Sequence, residues 1–433
     1  DMSFPIKSIN FCKKSLNNKV DLVTIASKKF DYITTLTHFY SIPTDEMFKI
    51  QDEYYYPLFY NNKKKNFLKL VKKHWKTDQY PKEYWSKVSE SKIASFSKDV
   101  KKIVSRATKV NEKNIVHVEH HKCHANYGYY TSPFKKKKCL IFTIDGAGDN
   151  GINATISIGE KGEIKKFYET TNCIVGRIYS HITLLFGMRR LEHEYKIMGL
   201  APYAQKKKDR STYETFNSCL KFDGYKINFN KKPKDSFFHF EKKLRGKRFD
   251  VVAASLQQWV EDFLIQWVKN TIKIKKIKNI VFSGGVAMNA KAMGKIIELK
   301  EVESLWVPGA SQDDSICIGA SLEHNKNKFV NLNSLYLGND SDEDEKKFIK
   351  GLNNKKFIIK KYDHNLASKL LEQGKVFGRC VGKMEFGPRS LGNRSIIADP
   401  RNIETRDLIN KMIKKRDFWM PFAPTILDKV ASK

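Results

Sequence analysis

The sequence predicts an α/β protein, and three observations carry that expectation. From Cys139 onward the runs Leu140 to Asp145, Ile152 to Ile158 and Ile164 to Tyr168 are rich in β-formers and joined by glycine-containing turns, a β-meander pattern. Farther along, helical and strand-like runs alternate: Val251 to Ile274 reads as helix, Asn279 to Phe282 as a short buried strand and Val286 to Leu299 as helix. Leu305 to Val307 then reads as strand and Asp314 to Leu322 as helix. Third, the chain has 433 residues with a hydrophobic fraction of 41%, enough for two or three domains around a sizeable core.

Before residue 110 the chain is polar and rich in aromatics, with a helix expected from Tyr84 to Ala107 that carries Trp85, Val88, Ile93 and Phe96. The acidic segment Asn339 to Glu345 is the natural linker, and no internal repeat is visible. The formal net charge of +33 invites a nucleic-acid reading, but only 13 of the 80 basic residues are arginine and the lysine runs are dispersed. A compositional bias toward lysine is the better account, with long-range steering of anionic substrates as a consequence. The seven cysteines contain no CxxC pair and read as reduced thiols. No apolar run reaches the roughly 18 residues of a membrane span, and the start lacks signal-peptide form, so the expectation is a soluble cytoplasmic protein.

Four stretches carry chemistry. His120 and His124 lie four apart, one helical turn, and Asp145 ends a strand shortly after, a grouping that suits a divalent metal. The plainer reading is a surface helix that carries three histidines. Gly146 to Gly151 matches GxGxxG, but a strand follows where a dinucleotide site needs a helix, so Gly146 and Gly148 read as a tight turn whose amides approach a phosphate. No P-loop is present. Ser283-Gly284-Gly285 closes a strand before a helix, where its amides face a ribose or phosphate or simply allow close packing. Met384 to Arg401 has no regular period and sets three arginines among glycines. It reads as an anion-binding loop, the alternative being a solvated turn.

With His120 and His124, that last run resembles the NodU/CmcH family of O-carbamoyltransferases. The resemblance extends to Glu194 through Tyr203, Ser283 through Asn289 and Lys415 through Pro424, five ordered motifs between residues 118 and 424. It implies an actin/Hsp70-like, Kae1-like nucleotide-binding domain over residues 1–338 that transfers the carbamoyl group, and a YrdC/Sua5-like α/β domain over 346–433 that forms carbamoyl-adenylate. It implies ATP and a divalent metal, Fe(II) by family habit, as cofactors. Carbamoyl phosphate and a hydroxyl-bearing small molecule or glycan precursor are the partners, with no membrane and no nucleic acid.

In residue terms, the resemblance makes His120, His124, Asp145 and Asp313 the metal ligands, although Asp313 alone reads as a helix cap. Arg389, Lys415 and Arg416 stabilise the adenylation, with Arg394, Gly146, Gly148, Gly284, Gly285 and Asn289 holding the nucleotide. Glu194 and Lys196 contact the acceptor or brace the wall, and His121 orients or deprotonates the acceptor or supports the site structurally. His193, Ser390 and Trp419-Met420 depart from the family pattern and mark a subgroup with its own acceptor. The chain is also expected to lack the family's opening β-hairpin and closing segment. A threonylcarbamoyl-transfer relative acting on tRNA and an inactive nucleotide-binding member are the competing classes.

Overall fold

The computed structural model describes residues 6–28, 43–67, 69–70, 100–134, 137–204, 209–325, 332, 334–340, 348–352, 356 and 358–430. Most of the helix expected from Tyr84 lies outside these residues, and its last part, 100–108, is helical. Two compact units result, Asp1–Asn331 and Leu332–Lys433. The division precedes the acidic segment, whose Asp340 bridges Lys383 within the second unit.

In the first unit β1 (Val23–Ala26) and β2 (Ile115–Val118) form a parallel pair, Val23 opposite Ile115. The main sheet uses β3 (Cys139–Ile144), β4 (Ala154–Glu160) and β5 (Glu163–Thr170) as the expected antiparallel meander. A hairpin, β6 (Leu220–Asp223) with β7 (Lys226–Phe229), stands apart. Then β8 (Asn279–Ser283) pairs parallel with β3, and β9 (Ser304–Trp306) parallel with β8. The order is β5-β4-β3-β8-β9, with β4 alone running against the rest.

All six residues of β3 are buried, which demands cover on both faces. Successive side chains point to opposite sides, so Ile141 and Phe142 meet different layers. Ile141 packs with Ala125 and Tyr129 of helix α1 (His120–Tyr130). Phe142 stacks on Phe282 at 4.9 Å and meets Trp267 edge-on at 4.8 Å. Three further helices matter for the site: α2 (Val175–Leu185), α3 (Glu194–Leu200) and α4 (Phe249–Lys275), which carries Trp267.

The helix expected from Val286 begins later, as α5 (Ala290–Ile297), after a 3-10 turn Gly285–Met288. The delay has a cause: Asn289 caps α5, its Oδ1 accepting from Ala292 N at 3.1 Å. Helix α6 (Ile316–Leu322) likewise follows a 3-10 turn, Asp313–Ser315. In the second unit α7 (His364–Glu372) precedes β10 (Phe377–Cys380), which pairs antiparallel with β11 (Arg394–Ile397) across the arginine-bearing loop. Among the described residues no helix is long and apolar enough to cross a membrane.

Candidate metal centre

The two periodicities that build the core also build the site. Period two puts Thr143 and Asp145 on the face of β3 that Ile141 presents to α1, and the helical turn puts His120 and His124 on one side of α1. His124 Nε2 lies 3.2 Å from His120 Nε2 and 3.0 Å from Asp145 Oδ2. Asp313 Oδ1 approaches at 3.6 Å from His120 Nε2 and 3.4 Å from His124 Nε2, and His120 Nε2 is 3.5 Å from Asp145 Oδ2. All four donor atoms lie within 4.8 Å of one another. Bonds of about 2.1 Å to one ion require donor separations of about 3.4 Å in a tetrahedron and about 3.0 Å between octahedral neighbours. The residues therefore fit a divalent ion. His120 and His124 are buried, whereas the Asp313 side chain is 67% exposed, so the cluster opens to solvent on that side.

Asp313 arrives through the fold. Gly284 N donates to Ser311 O at 3.0 Å, and Tyr127 Oη from α1 donates to Gly309 O at 2.6 Å. Helix α6 lies flush against α1 because residue 319 is glycine: a Cβ there would sit 1.9 Å from Cys123 O.

The support behind the ligands comes from Asp149, Glu119 and His121, of which the sequence nominated His121 alone. Asp149, in the turn after β3, accepts from His120 N at 2.9 Å, from Ser27 Oγ at 2.8 Å and from Lys28 N, tying the start of α1 to β1. Glu119 caps the same helix, accepting from His121 N and Lys122 N. His121 Nδ1 lies 2.8 Å from Thr143 Oγ1 and its Nε2 2.9 Å from Ile152 O. The carbonyl only accepts, so Nε2 donates to it. Burial, then the neighbouring His120 and His124, pull the His121 pKa down to about 3, so the ring is neutral and Nδ1 accepts from Thr143. Both nitrogens are thus hydrogen-bonded behind the cluster.

Burial alone would raise the Asp145 carboxyl, but hydrogen bonds from His120 and His124 hold it well below the usual range. For His124 burial works downward, and Asp145 with Asp313 carry it up to about 9. These opposed shifts mark carboxylate oxygens aimed at imidazole nitrogens. His124 Nδ1 is buried without a hydrogen-bond partner among the described residues.

Three of the four glycines named for the nucleotide also make room for neighbours, the packing alternative given for Gly284 and Gly285. A Cβ on Gly148 would lie 2.6 Å from His120 Cδ2, and one on Gly285 2.9 Å from Asp145 Oδ1. Gly284, at φ +98°, lets the backbone pass Ile144, where a Cβ would fall 2.4 Å from its carbonyl oxygen. Only Gly146 faces open space. Gly148→Ala is therefore expected to push the His120 ring aside, lowering metal content measured by elemental analysis and costing roughly 1–3 kcal/mol in denaturant unfolding. Full metal content at unchanged stability would refute the packing role.

Asn289 is likewise engaged: it caps α5, and its amide exchanges bonds with Gln257 at 2.9 and 3.0 Å. Glu194 opens α3 and accepts from Leu191 N at 2.6 Å, while Lys196, two residues along, is half-buried.

In the second unit the backbone amides expected to cradle an anion already hold one. Glu385 Oε1 accepts from Leu391, Asn393 and Arg394 N at 2.8, 2.7 and 3.0 Å. Burial opposes ionisation there, yet the backbone donors win and bring the Glu385 pKa down to about 2. Arg394 donates to Val381 O, Asn393 O and Gly382 O, bracing the loop instead of reaching outward. Arg416 bonds Asn410 and lies over the Phe422 ring at 4.5 Å. Arg389 and Lys415 are exposed, Lys415 at φ +48°.

A family described as Carbamoyltransferase N-terminus matches residues 3–322, and one described as Carbamoyltransferase C-terminus matches 368–433. Nodulation protein NolNO of Sinorhizobium fredii is 31% identical over 343 residues, which cover 75% of this chain and 49% of that protein. An uncharacterised protein of Methanocaldococcus jannaschii is 32% identical over 355 residues, 74% of this chain and 57% of its own. The chain thus spans about half the length of these relatives. A 3'-hydroxymethylcephem-O-carbamoyltransferase of Amycolatopsis lactamdurans is 42% identical over 62 residues, 14% of this chain and 12% of that enzyme. Among solved structures, full-length HypF in its phosphate- and nucleotide-bound form aligns at 12% identity with a TM-score of 0.35, over 54% of this chain and 42% of that one. Matched along most of its length by the N-terminal family and again at its end by the C-terminal one, the chain belongs to the carbamoyltransferase family.

Proposed function

We propose that the protein carbamoylates a hydroxyl of a sugar-containing acceptor, using carbamoyl phosphate and ATP through a carbamoyl-adenylate. The observation that carries this reading is the convergence of His120, His124, Asp145 and Asp313 at the end of β3 in a chain of this family. These four would hold the divalent ion, iron(II) by the resemblance. When bound, such an ion stabilises negative charge developing on the carbonyl oxygen during transfer. The relative named for O-carbamoylation of a hydroxymethyl group supports oxygen as the accepting atom.

Atom balance orders the chemistry. Carbamoyl phosphate transfers its phosphoryl group to water and releases inorganic phosphate, the carbamate left behind displaces pyrophosphate from ATP, and the acceptor hydroxyl displaces AMP while losing its proton. We assign transfer to residues 1–338, read as the actin/Hsp70-like part, and adenylation to 346–433, read as the YrdC-like part. The open surface at Gly146 is where the adenylate approaches. His121 positions Thr143 and the β3–β4 turn, and Glu194 and Lys196 belong to the acceptor side.

The test is pyrophosphate release by the purified whole protein. Release from ATP only when carbamoyl phosphate is added is the expected outcome. Neither a tRNA threonylcarbamoyl-transfer relative nor an inactive member consumes that substrate, so its absence overturns the proposal.

A further inference from the structure

The first turn of α2 touches the metal centre, and from there the helix carries a row of cationic and polar groups outward. A Cβ on Gly176 would lie 3.1 Å from both Asp145 C and Gly146 N, so Arg177 follows directly on the point of contact. Arg177 and His181 share a helix face one turn apart. His181 Nδ1 lies 2.6 Å from Ser236 Oγ, and its ring meets Phe237 edge-on at 6.1 Å. Arg190 Nε reaches back to Ser180 Oγ at 3.4 Å.

Arg190 is held on purpose. It precedes Leu191, a non-glycine residue at φ +67°, a left-handed conformation that disfavours a branched side chain. Glu194 Oε1 stabilises that turn by accepting from Leu191 N, and His193 Nδ1 accepts from Arg189 N at 3.2 Å. Tyr55, at the end of the π-helical turn Gln51–Tyr55, acts electrostatically on both guanidiniums, and such turns gather at functional sites.

What Arg177 lacks is a counter-charge. Among the described residues Arg177 makes no hydrogen bond or ion pair, and Arg190 has the Ser180 contact with Glu194 as its one acidic neighbour. Nearby protein atoms lower the pKa of both arginines, although Arg177 is exposed and Arg190 half-buried. An exposed guanidinium with no protein partner keeps its forked donors available to an anion beside it.

We infer that Arg177, His181 and Arg190 form an anion subsite beside the metal centre, and that it selects acceptors bearing a phosphate or carboxylate together with their hydroxyls. The inference rests on the carbamoyl-transfer reading for the word acceptor. The subsite itself does not depend on that reading. Arginine's fork suits either anion, and the adjoining Tyr55 and Phe237 rings suit the flat face of a sugar.

Binding can be measured without turnover, by calorimetry on the whole protein with glucose 6-phosphate, glucuronate, glucose and AMP as probes. At least one acidic sugar should bind about tenfold or more tighter than glucose, the value of one charge-assisted hydrogen bond. Arg177→Gln and Arg190→Gln should each erase that preference at unchanged metal content, and Arg177→Lys should restore part of it. Equal binding of acidic and neutral sugars, or Gln variants that keep the preference, would overturn the inference. So would Gln variants that weaken AMP alone, because the arginines would then serve the nucleotide. Failure of the pyrophosphate assay leaves these binding results standing, so the two proposals fail separately.

Discussion

Replacing His124 with Ala is expected to strip the divalent metal from the protein and abolish carbamoyl transfer. Its Nε2 lies within 3.4 Å of three other donors and its side chain is fully buried, so its removal takes a central donor from the cluster. Hydrogen-bonding partners one step removed from a metal already account for 10–100-fold in affinity, so loss of a direct ligand should cost at least about a hundredfold. Elemental analysis of the purified variant reads the first effect and product mass spectrometry the second. Pyrophosphate release in the presence of carbamoyl phosphate should persist, because the second unit contributes none of the four donors. Undiminished metal in His124→Ala would remove the centre from the mechanism.

The second large effect is expected from Arg389→Ala, with the opposite pattern: adenylate formation lost, metal content kept. Arg394 donates to the carbonyls of Val381, Gly382 and Asn393, Arg416 bonds Asn410 and lies over the Phe422 ring, and Arg389 has an exposed side chain on the loop. An exposed fork suits phosphoryl oxygens, and its removal should cost about 2–4 kcal/mol of transition-state stabilisation, the scale of losing one oxyanion donor. Carbamoyl-adenylate appearing at the wild-type rate in Arg389→Ala would dissolve the proposed division of labour. Arg394→Ala should differ in kind, loosening the β10–β11 loop and lowering stability.

How much of this could be read from the chain depends on the range of the interaction. The meander, the long helix around Trp267 and the pairing of His120 with His124 follow from backbone periods of two and 3.6, which any short window of sequence displays. Asp145 was legible for the same reason, as the residue that ends a buried strand. Asp313 was different. Nothing near it marks a ligand, and resemblance alone nominated it. What brings it in is α6 lying flush on α1 over Gly319 and the loop held to Gly284.

Other assignments turned on competition among donors and acceptors, which only tertiary structure decides. The amides of the arginine loop have the right form for a phosphate, yet Glu385 from the same loop reaches them first. Gly148 reads as a phosphate-approaching glycine and Gly285 as that or a packing glycine, and the missing side chains of both make room, for His120 and Asp145. Asp149 looked like one turn residue among several, and in three dimensions it anchors the histidine helix to β1. By itself the sequence determined the meander, the long helix around Trp267 and the face that His120 and His124 share, because those properties repeat locally. The partner of each polar group was settled by packing, because a buried donor or acceptor must be satisfied by whatever the fold carries within about 3 Å of it.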